Sequence, residues 1–288
     1  MSFHLFDFKP MKLFPFLAGS TLLAAPPPLP AQTLFFQAGA VEFSDVTISG
    51  TTVQRNAKRA DGSNAAGIPV ASIIRVDFPK PDELSAADDL ILKGKYDEAL
   101  QKAKAVQDIH RLWKDKPGSW YAQAGLLTAE SLLRQNKYDE SARLMSELRN
   151  MALSSNLQIR VTMLDALEQF QKGITGPALA KVKPLAKGAQ DADTLARLYL
   201  LIGDIQFKRG AFEEALEAYL QIPVFYGAEA AFLPAADLGA AKSLARLSRL
   251  RDAADSFDRI IERYAGTQEA DAAKVEKAAV AKLTGGAP

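Results

Sequence analysis

Between Thr33 and Pro81 apolar side chains fall at every second position: Val41 and Phe43, Val46 and Ile48, then Ile74, Val76 and Phe78, with polar or charged residues between them. Alternation of this kind gives an extended chain one apolar and one wet face, so the segment predicts short antiparallel strands with one face buried. Ser49-Gly50 offers a tight turn between strands over 46–49 and 52–55, and the Ala-, Gly-, Asn- and Asp-rich stretch 56–67 breaks the pattern before Ile68-Pro69-Val70 resumes it. That stretch carries Lys58, Arg59 and Asp61 and reads as a solvated connector. A module of about fifty residues buries too little surface to be stable alone, so it is expected to lean on the rest of the chain or on a partner.

After Asp82 the period changes. Segments rich in Ala, Leu, Glu, Lys and Arg carry apolar residues at helical spacing, as in Leu195, Leu198, Tyr199 and Ile202, or Leu216, Tyr219 and Leu220. Glycine and proline fall mostly between these segments, which predicts helices to the end of the chain, with 284–288 left as a disordered tail.

The helical part repeats itself. Gly94-Lys95-Tyr96-Asp97-Glu98-Ala99-Leu100 recurs as Asn136-Lys137-Tyr138-Asp139-Glu140-Ser141-Ala142 and as Gly210-Ala211-Phe212-Glu213-Glu214-Ala215-Leu216. A weaker copy is Leu250-Arg251-Asp252-Ala253-Ala254, and a degenerate one surrounds Pro177-Ala178-Leu179. Aligned on Ala99, Ser141, Ala178, Ala215 and Ala253, the copies are spaced by 42, 37, 37 and 38 residues. In each copy glycine or asparagine ends a first helix, an aromatic packs into the hairpin, an acidic pair suits the start of a second helix, and the small residue lets the two helices approach closely. Each unit is then a helix-turn-helix whose apolar face is completed by its neighbours.

These motifs resemble the tetratricopeptide repeat (TPR) family. The best copy spans 195–222, with Tyr199, Ile202-Gly203, Gly210, Ala215 and Tyr219 at the positions that family's pattern uses. The unit is longer than the family's 34-residue period, and the family's terminal proline is mostly missing. The segment Glu262-Arg263-Tyr264-Ala265-Gly266-Thr267-Gln268-Glu269-Ala270-Asp271-Ala272-Ala273 also looks like the inter-repeat junction of periplasmic TPR proteins of bacterial envelope assembly and division. The resemblance implies a mainly α fold, an α-solenoid of about five hairpins over 82–283, preceded by the small antiparallel β module of 32–81.

The N-terminus bears on compartment. Lys9 and Lys12 precede an apolar run from Leu13 to Ala25 and a proline-rich stretch ending at Leu29-Pro30-Ala31, which is the order of a cleaved secretory signal over 1–31. A run of about 13 residues is short of the roughly 20 that span a bilayer as a helix, so an exported chain, periplasmic or extracellular, with no later membrane span is expected. Loss of Lys9, Lys12 and Asp7 leaves the remainder formally neutral. A neutral chain has no positive field to gather phosphate, which argues against nucleic acid as a partner. With no cysteine, disulfides, thiolate metal sites, cysteine nucleophiles and a lipidated cysteine are all excluded.

Candidate chemistry is sparse. His110 is the one histidine after the leader and cannot furnish the usual zinc pairs, and no P-loop, dinucleotide-binding, H-E-x-x-H or nucleophile-elbow motif is present. Asp61-Gly62-Ser63-Asn64 lacks the rest of a calcium loop and reads as a turn. No catalytic residue, metal or cofactor is expected, and the chain reads as a binding protein rather than an enzyme. Trp113, Trp120 and Tyr121 read as hairpin packing, with an exposed aromatic contact as the alternative. In the solenoid the resemblance implies, the first helix of each pair lines the concave face. Counting from the small residues places Glu130, Arg134, Arg160, Arg197, Asp204, Lys208, Lys242 and Arg246 there. Six of these eight are basic, which points to a carboxylate-bearing protein or peptide partner, because guanidinium groups grip carboxylates through paired hydrogen bonds. The expectation is a cell-envelope scaffold or adaptor; the alternative is a glycan or small-ligand binder with a pocket between helices.

Overall fold

The structure is a computed structural model and describes residues 33–37, 39–42, 46–55, 62 and 67–283. The expected signal segment, most of the 56–67 connector and the 284–288 tail lie outside the described residues. The N-terminal strands are β1 (Thr33–Phe36), β2 (Gly39–Glu42), β3 (Val46–Ser49), β4 (Thr52–Arg55), β5 (Ile68–Pro69) and β6 (Ile73–Asp77). They form two three-stranded antiparallel sheets, ordered β2-β1-β6 and β3-β4-β5. The β3–β4 hairpin closes with Ser49 opposite Thr52, at the turn expected from Ser49-Gly50.

The expected alternation fails on β6. Ile73 and Val76 are buried, whereas Ile74, expected on the same face as Val76, is 58% exposed. The register against β1 steps from Phe35 opposite Arg75 to Phe36 opposite Ile73, passing over Ile74. One extra residue in a strand reverses the phase of every side chain beyond it, which period-two reading cannot foresee. Leu34, Val53, Val70, Ile73, Val76 and Phe78 form the core of this module and close on Trp113 from the helical part. The Val76 amide donates to the Pro117 carbonyl at 2.9 Å, and the Trp120 indole Nε1 donates to the Phe78 carbonyl at 2.9 Å. The module leans on the helices, as its size requires.

The helices are α1 (Asp82–Leu92), α2 (Tyr96–His110), α3 (Tyr121–Arg134), α4 (Tyr138–Arg149), α5 (Ser155–Gln171), α6 (Thr175–Val182), α7 (Ala192–Arg209), α8 (Phe212–Phe225), α9 (Leu233–Arg246), α10 (Leu250–Arg263) and α11 (Gln268–Leu283). The chain is therefore mainly helical with small antiparallel sheets near its N-terminal end. The first ten helices pack as consecutive pairs, α1 with α2 through α9 with α10.

The five pairs turn in the same way. A residue with positive φ stands five positions before each aligned small residue: Gly94 (69°), Asn136 (60°), Gly173 (81°), Gly210 (78°) and Ser248 (61°). At every turn the amide of that residue donates three residues back, to Ile91, Leu133, Phe170, Phe207 and Ala245, and the next amide donates five residues back, to Leu90, Leu132, Gln169, Gln206 and Leu244. These are the paired bonds of a helix ended by a left-handed residue. The degenerate copy at Ala178 keeps this geometry although its sequence has drifted. Ala99, Ser141, Ala178, Ala215 and Ala253 are all buried, and the Ser141 hydroxyl donates to the Ala129 carbonyl at 3.1 Å.

First helices of successive pairs also touch, α1 with α3, α3 with α5, α5 with α7, α7 with α9, and finally α9 with α11. The row brings its two ends together. Leu92 at the end of α1 packs against the cluster of Phe232, Leu233 and Ala236, and the Gln268 side-chain amide at the start of α11 donates to the Lys93 carbonyl at 3.2 Å. Among the described residues no helix is long and apolar enough to cross a membrane.

Candidate functional site

The first helices of pairs two to five present polar side chains at related positions. Glu130 and Arg134 come from α3, Arg160 from α5, Arg197, Asp204 and Lys208 from α7, and Lys242 from α9. Spacings of four or seven residues keep those from one helix on a single face. All seven line one recess made of two adjoining lobes. The inner lobe, about 60 Å³, is bounded by Arg160, Arg197, Met163, Leu164, Leu167 and Phe232. The outer, about 410 Å³, is bounded by Phe170, Phe207, Lys208, Leu238, Lys242 and Glu269. Leu92, Glu130, Arg134, Leu200 and Asp204 line both. The sequence-derived set is thus brought together with one exception: Arg246, at the C-terminal end of α9, is exposed and lines neither lobe.

Arg197 is buried, 8% exposed. Its Nε donates to Asp193 Oδ2 at 2.9 Å, its Nη2 pairs with Asp88 from α1, and the guanidinium stands 4.9 Å from the Phe232 ring centroid. Burial works against its charge, yet Asp88, Asp193 and Glu130 together hold its pKa above the ordinary value. Burial raises the Asp88 carboxyl, and the arginines at 197 and 160 pull the other way. For Asp193 burial also acts upward, but Arg197 outweighs it and the pKa is lowered. Glu130, itself buried, lies 3.6 Å from Arg134.

Arg160 stands differently. It is half-buried, and its side chain makes no hydrogen bond or ion pair within 4 Å among the described residues. Burial, and then the neighbouring Arg197 charge, hold its pKa below the ordinary value. The Arg134 Nε is likewise buried without a partner. Lys208 donates to the Phe170 carbonyl at 3.3 Å and sits over that ring but meets no carboxylate within 4 Å among the described residues, whereas Lys242 lies 3.5 Å from Glu276. Asp204 accepts a 2.7 Å bond from the Tyr219 hydroxyl, and burial raises its pKa.

The recess is less basic than the sequence set suggested. Counting from the repeat motifs missed four acids: Asp88 and Asp193, which pair with Arg197, Glu276, beside Lys242, and Glu269, which lines the outer lobe; Asp88 on α1 and Glu269 and Glu276 on α11 come from helices on which no residue was counted. A spacing signal existed for Asp193 alone, four residues before Arg197.

The aromatic residues mainly pack the β module onto the helices, and of the three expected ones only Trp113, with Phe78 and His110, also borders a recess, of about 680 Å³. Trp113 and Tyr121 are buried, and Phe78 meets Trp113 and His110 edge-on at 5.9 and 5.3 Å. His110 is itself buried, its Nδ1 accepts from the Trp120 amide at 3.4 Å, and burial lowers its pKa. The Tyr121 hydroxyl donates to Glu147 at 3.0 Å, which Lys114 also reaches at 2.9 Å. Compared with known proteins, the chain matches no family model and no curated relative.

Proposed function

We propose that this chain is a non-enzymatic binding protein of the TPR-like helical-repeat type, an α-solenoid of five hairpins whose inner face receives part of a protein partner. One observation carries the reading. Seven charged side chains from four separate helices converge on a recess walled by leucine and phenylalanine. Charges distributed at random over helices face solvent; converging on one recess with apolar walls is the arrangement of a recognition surface. Lys208 and Arg160, which have no carboxylate within 4 Å among the described residues, favour an acidic contact from the partner. The leader-like N-terminus and the junction-like segment over 262–273 support an exported protein acting as a scaffold or adaptor in the cell envelope.

The test is affinity capture from an envelope extract with residues 32–288, set beside Lys208→Glu and Lys242→Glu, whose side chains reach solvent. Specific capture of one protein by the parent chain and loss with both reversals is the expected outcome. Capture indifferent to both would remove the inner face from the function.

A glycan or small ligand is the second reading, favoured by the meeting of the two ends of the helical row at Leu92–Phe232 and Lys93–Gln268. This gives the recess a bounded outer lobe of about 410 Å³, within the span of small-ligand pockets.

A further inference from the structure

We infer that the two-lobed recess binds a small amphiphilic carboxylate, its carboxylate held by Arg160 in the inner lobe and its apolar stem lying in the outer one. The inference rests on the reading of the inner face as a binding surface and adds the chemistry of its occupant.

Start from what Arg160 lacks. A guanidinium carries five N–H donors and cannot shed its charge, so a half-buried one is expected to find acceptors. Arg197, close by, has two carboxylates. Arg160 has none within 4 Å among the described residues, and Arg197 opposes its charge. It is held in a place where its charge is unfavourable and faces open volume. Arg134 adds a second buried donor, Nε, without an acceptor on the same recess.

The size of the inner lobe limits what such donors can meet. At about 60 Å³ against about 410 Å³ for the outer lobe, the inner lobe is the narrow end of the recess and suits a compact head group such as a carboxylate. Met163, Leu164, Leu167 and Leu201 give it an apolar wall opposite these charged groups. The outer lobe offers Leu92, Phe170, Leu200, Phe207 and Leu238 to a hydrocarbon stem.

Asp88, Glu130 and Asp193 favour the Arg160 charge from a distance, but each acid has a nearer partner. Glu130 faces Arg134, and Asp204, its pKa raised by burial, is bonded to Tyr219. Asp88 and Asp193 are turned to Arg197. Glu269 stands at the outer lobe, with Lys208 and Lys242 on the same rim. A carboxylate at Arg160 therefore gives that guanidinium the direct acceptor it lacks, and a stem without charge gains only the walls.

The experiment is calorimetric titration of residues 32–288 with octanoate and with octan-1-ol, on the parent chain, Arg160→Met, Arg160→Lys and Arg143→Met. Arg143, exposed on α4 away from the recess, is the charge-loss control. The parent chain should bind octanoate at least about tenfold more tightly than octanol, the worth of one charge-assisted hydrogen bond. Arg160→Met should erase that preference, Arg160→Lys should keep part of it, and Arg143→Met should keep it all. Thermal unfolding followed by circular dichroism should show Arg160→Met as stable as the parent chain or more so, because removing an unpaired buried charge relieves its desolvation. Equal binding of octanoate and octanol, no octanoate binding up to about 1 mM, a preference that survives Arg160→Met, or a marked loss of stability in that variant would each overturn the inference. Protein capture without octanoate binding would sink the carboxylate pocket alone. Octanoate binding without protein capture would sink the scaffold reading alone.

Discussion

Arg197 on α7 and Asp88 on α1 are 109 residues apart in the chain and form a direct ion pair. Asp193, one turn before Arg197, completes a triad in which one guanidinium serves two carboxylates. The triad joins the first helical pair to the fourth, so its loss is felt as stability. Removing one member of a buried pair leaves the other charge without compensation, which costs about 3–5 kcal/mol. Arg197→Met, stranding two acids, should reach about 3 kcal/mol in urea unfolding. Asp88→Asn, which leaves the 2.9 Å bond to Asp193 in place, should cost about 1 kcal/mol, near the net worth of one hydrogen bond. Equal losses for the two would show that the triad does not act as a unit.

Tyr219 on α8 sits between glycines of two other helices. A methyl group built on Gly203 of α7 would lie 2.5 Å from the Tyr219 ring, and one on Gly239 of α9 would also lie 2.5 Å from it. Glycine inside a helix ordinarily costs about 0.5–1 kcal/mol relative to alanine, so a Gly→Ala change at an open helical site stabilises. Here the ring must move or the helices part. Gly203→Ala and Gly239→Ala should each lower stability by about 1–3 kcal/mol, the usual cost of overpacking a core. The double replacement with Tyr219→Leu should recover part of the loss, a coupling that a double-mutant cycle reads directly.

The repeat was legible because its signals are local. A turn residue, an aromatic, an acidic pair and a small residue recur within seven positions, and the turns at Gly94, Asn136, Gly173, Gly210 and Ser248 share one geometry. The face that collects Glu130, Arg134, Arg160, Arg197, Asp204, Lys208 and Lys242 followed from helical period counted from those small residues. Arg246 stands seven residues before Ala253, as Arg134 and Lys208 stand before Ser141 and Ala215, but the recess reaches α9 only as far as Lys242, so the equivalent position in the last pair lies outside it. The contribution of Asp88 was not legible, since it depends on how far the row of helices bends, a sum of small rotations that no local pattern encodes. The exposure of Ile74 was hidden for a related reason: a bulge is fixed by the partner strand β1 and not by the sequence of β6 alone.

Two of the five turns place a residue with a Cβ in the left-handed region, Asn136 and Ser248. Glycine tolerates that conformation freely and asparagine better than most residues, while serine bears a steric cost of about 1–2 kcal/mol. Ser248→Gly should therefore raise stability by up to about 1 kcal/mol, after the added freedom of the unfolded chain is counted against it. Asn136→Gly should change it less. Gly173→Ala, at a turn with φ of 81°, should lower it by about 1 kcal/mol. Thermal melts of the three variants would check this order, and a destabilising Ser248→Gly would show that the serine side chain supports its turn.

Asp204 gives the recess a dependence on pH with a definite sign. Burial raises its pKa above the ordinary 3.8, with Tyr219, Arg134 and Lys242 acting in the opposite direction. A carboxyl whose folded pKa lies above its unfolded one binds its proton more tightly in the native state. Its contribution to stability is then full below the unfolded pKa and is lost as pH rises through the folded value. Asp204→Asn keeps an oxygen to accept from the Tyr219 hydroxyl and removes the titration. The variant should match the parent chain below about pH 4, where the carboxyl is protonated in both states, and grow more stable than it as pH rises toward neutrality. Parallel melting curves from pH 4 to 7 would show instead that Arg134 and Lys242 fully compensate the ionised carboxylate, and that the recess holds its charge at no cost to the fold.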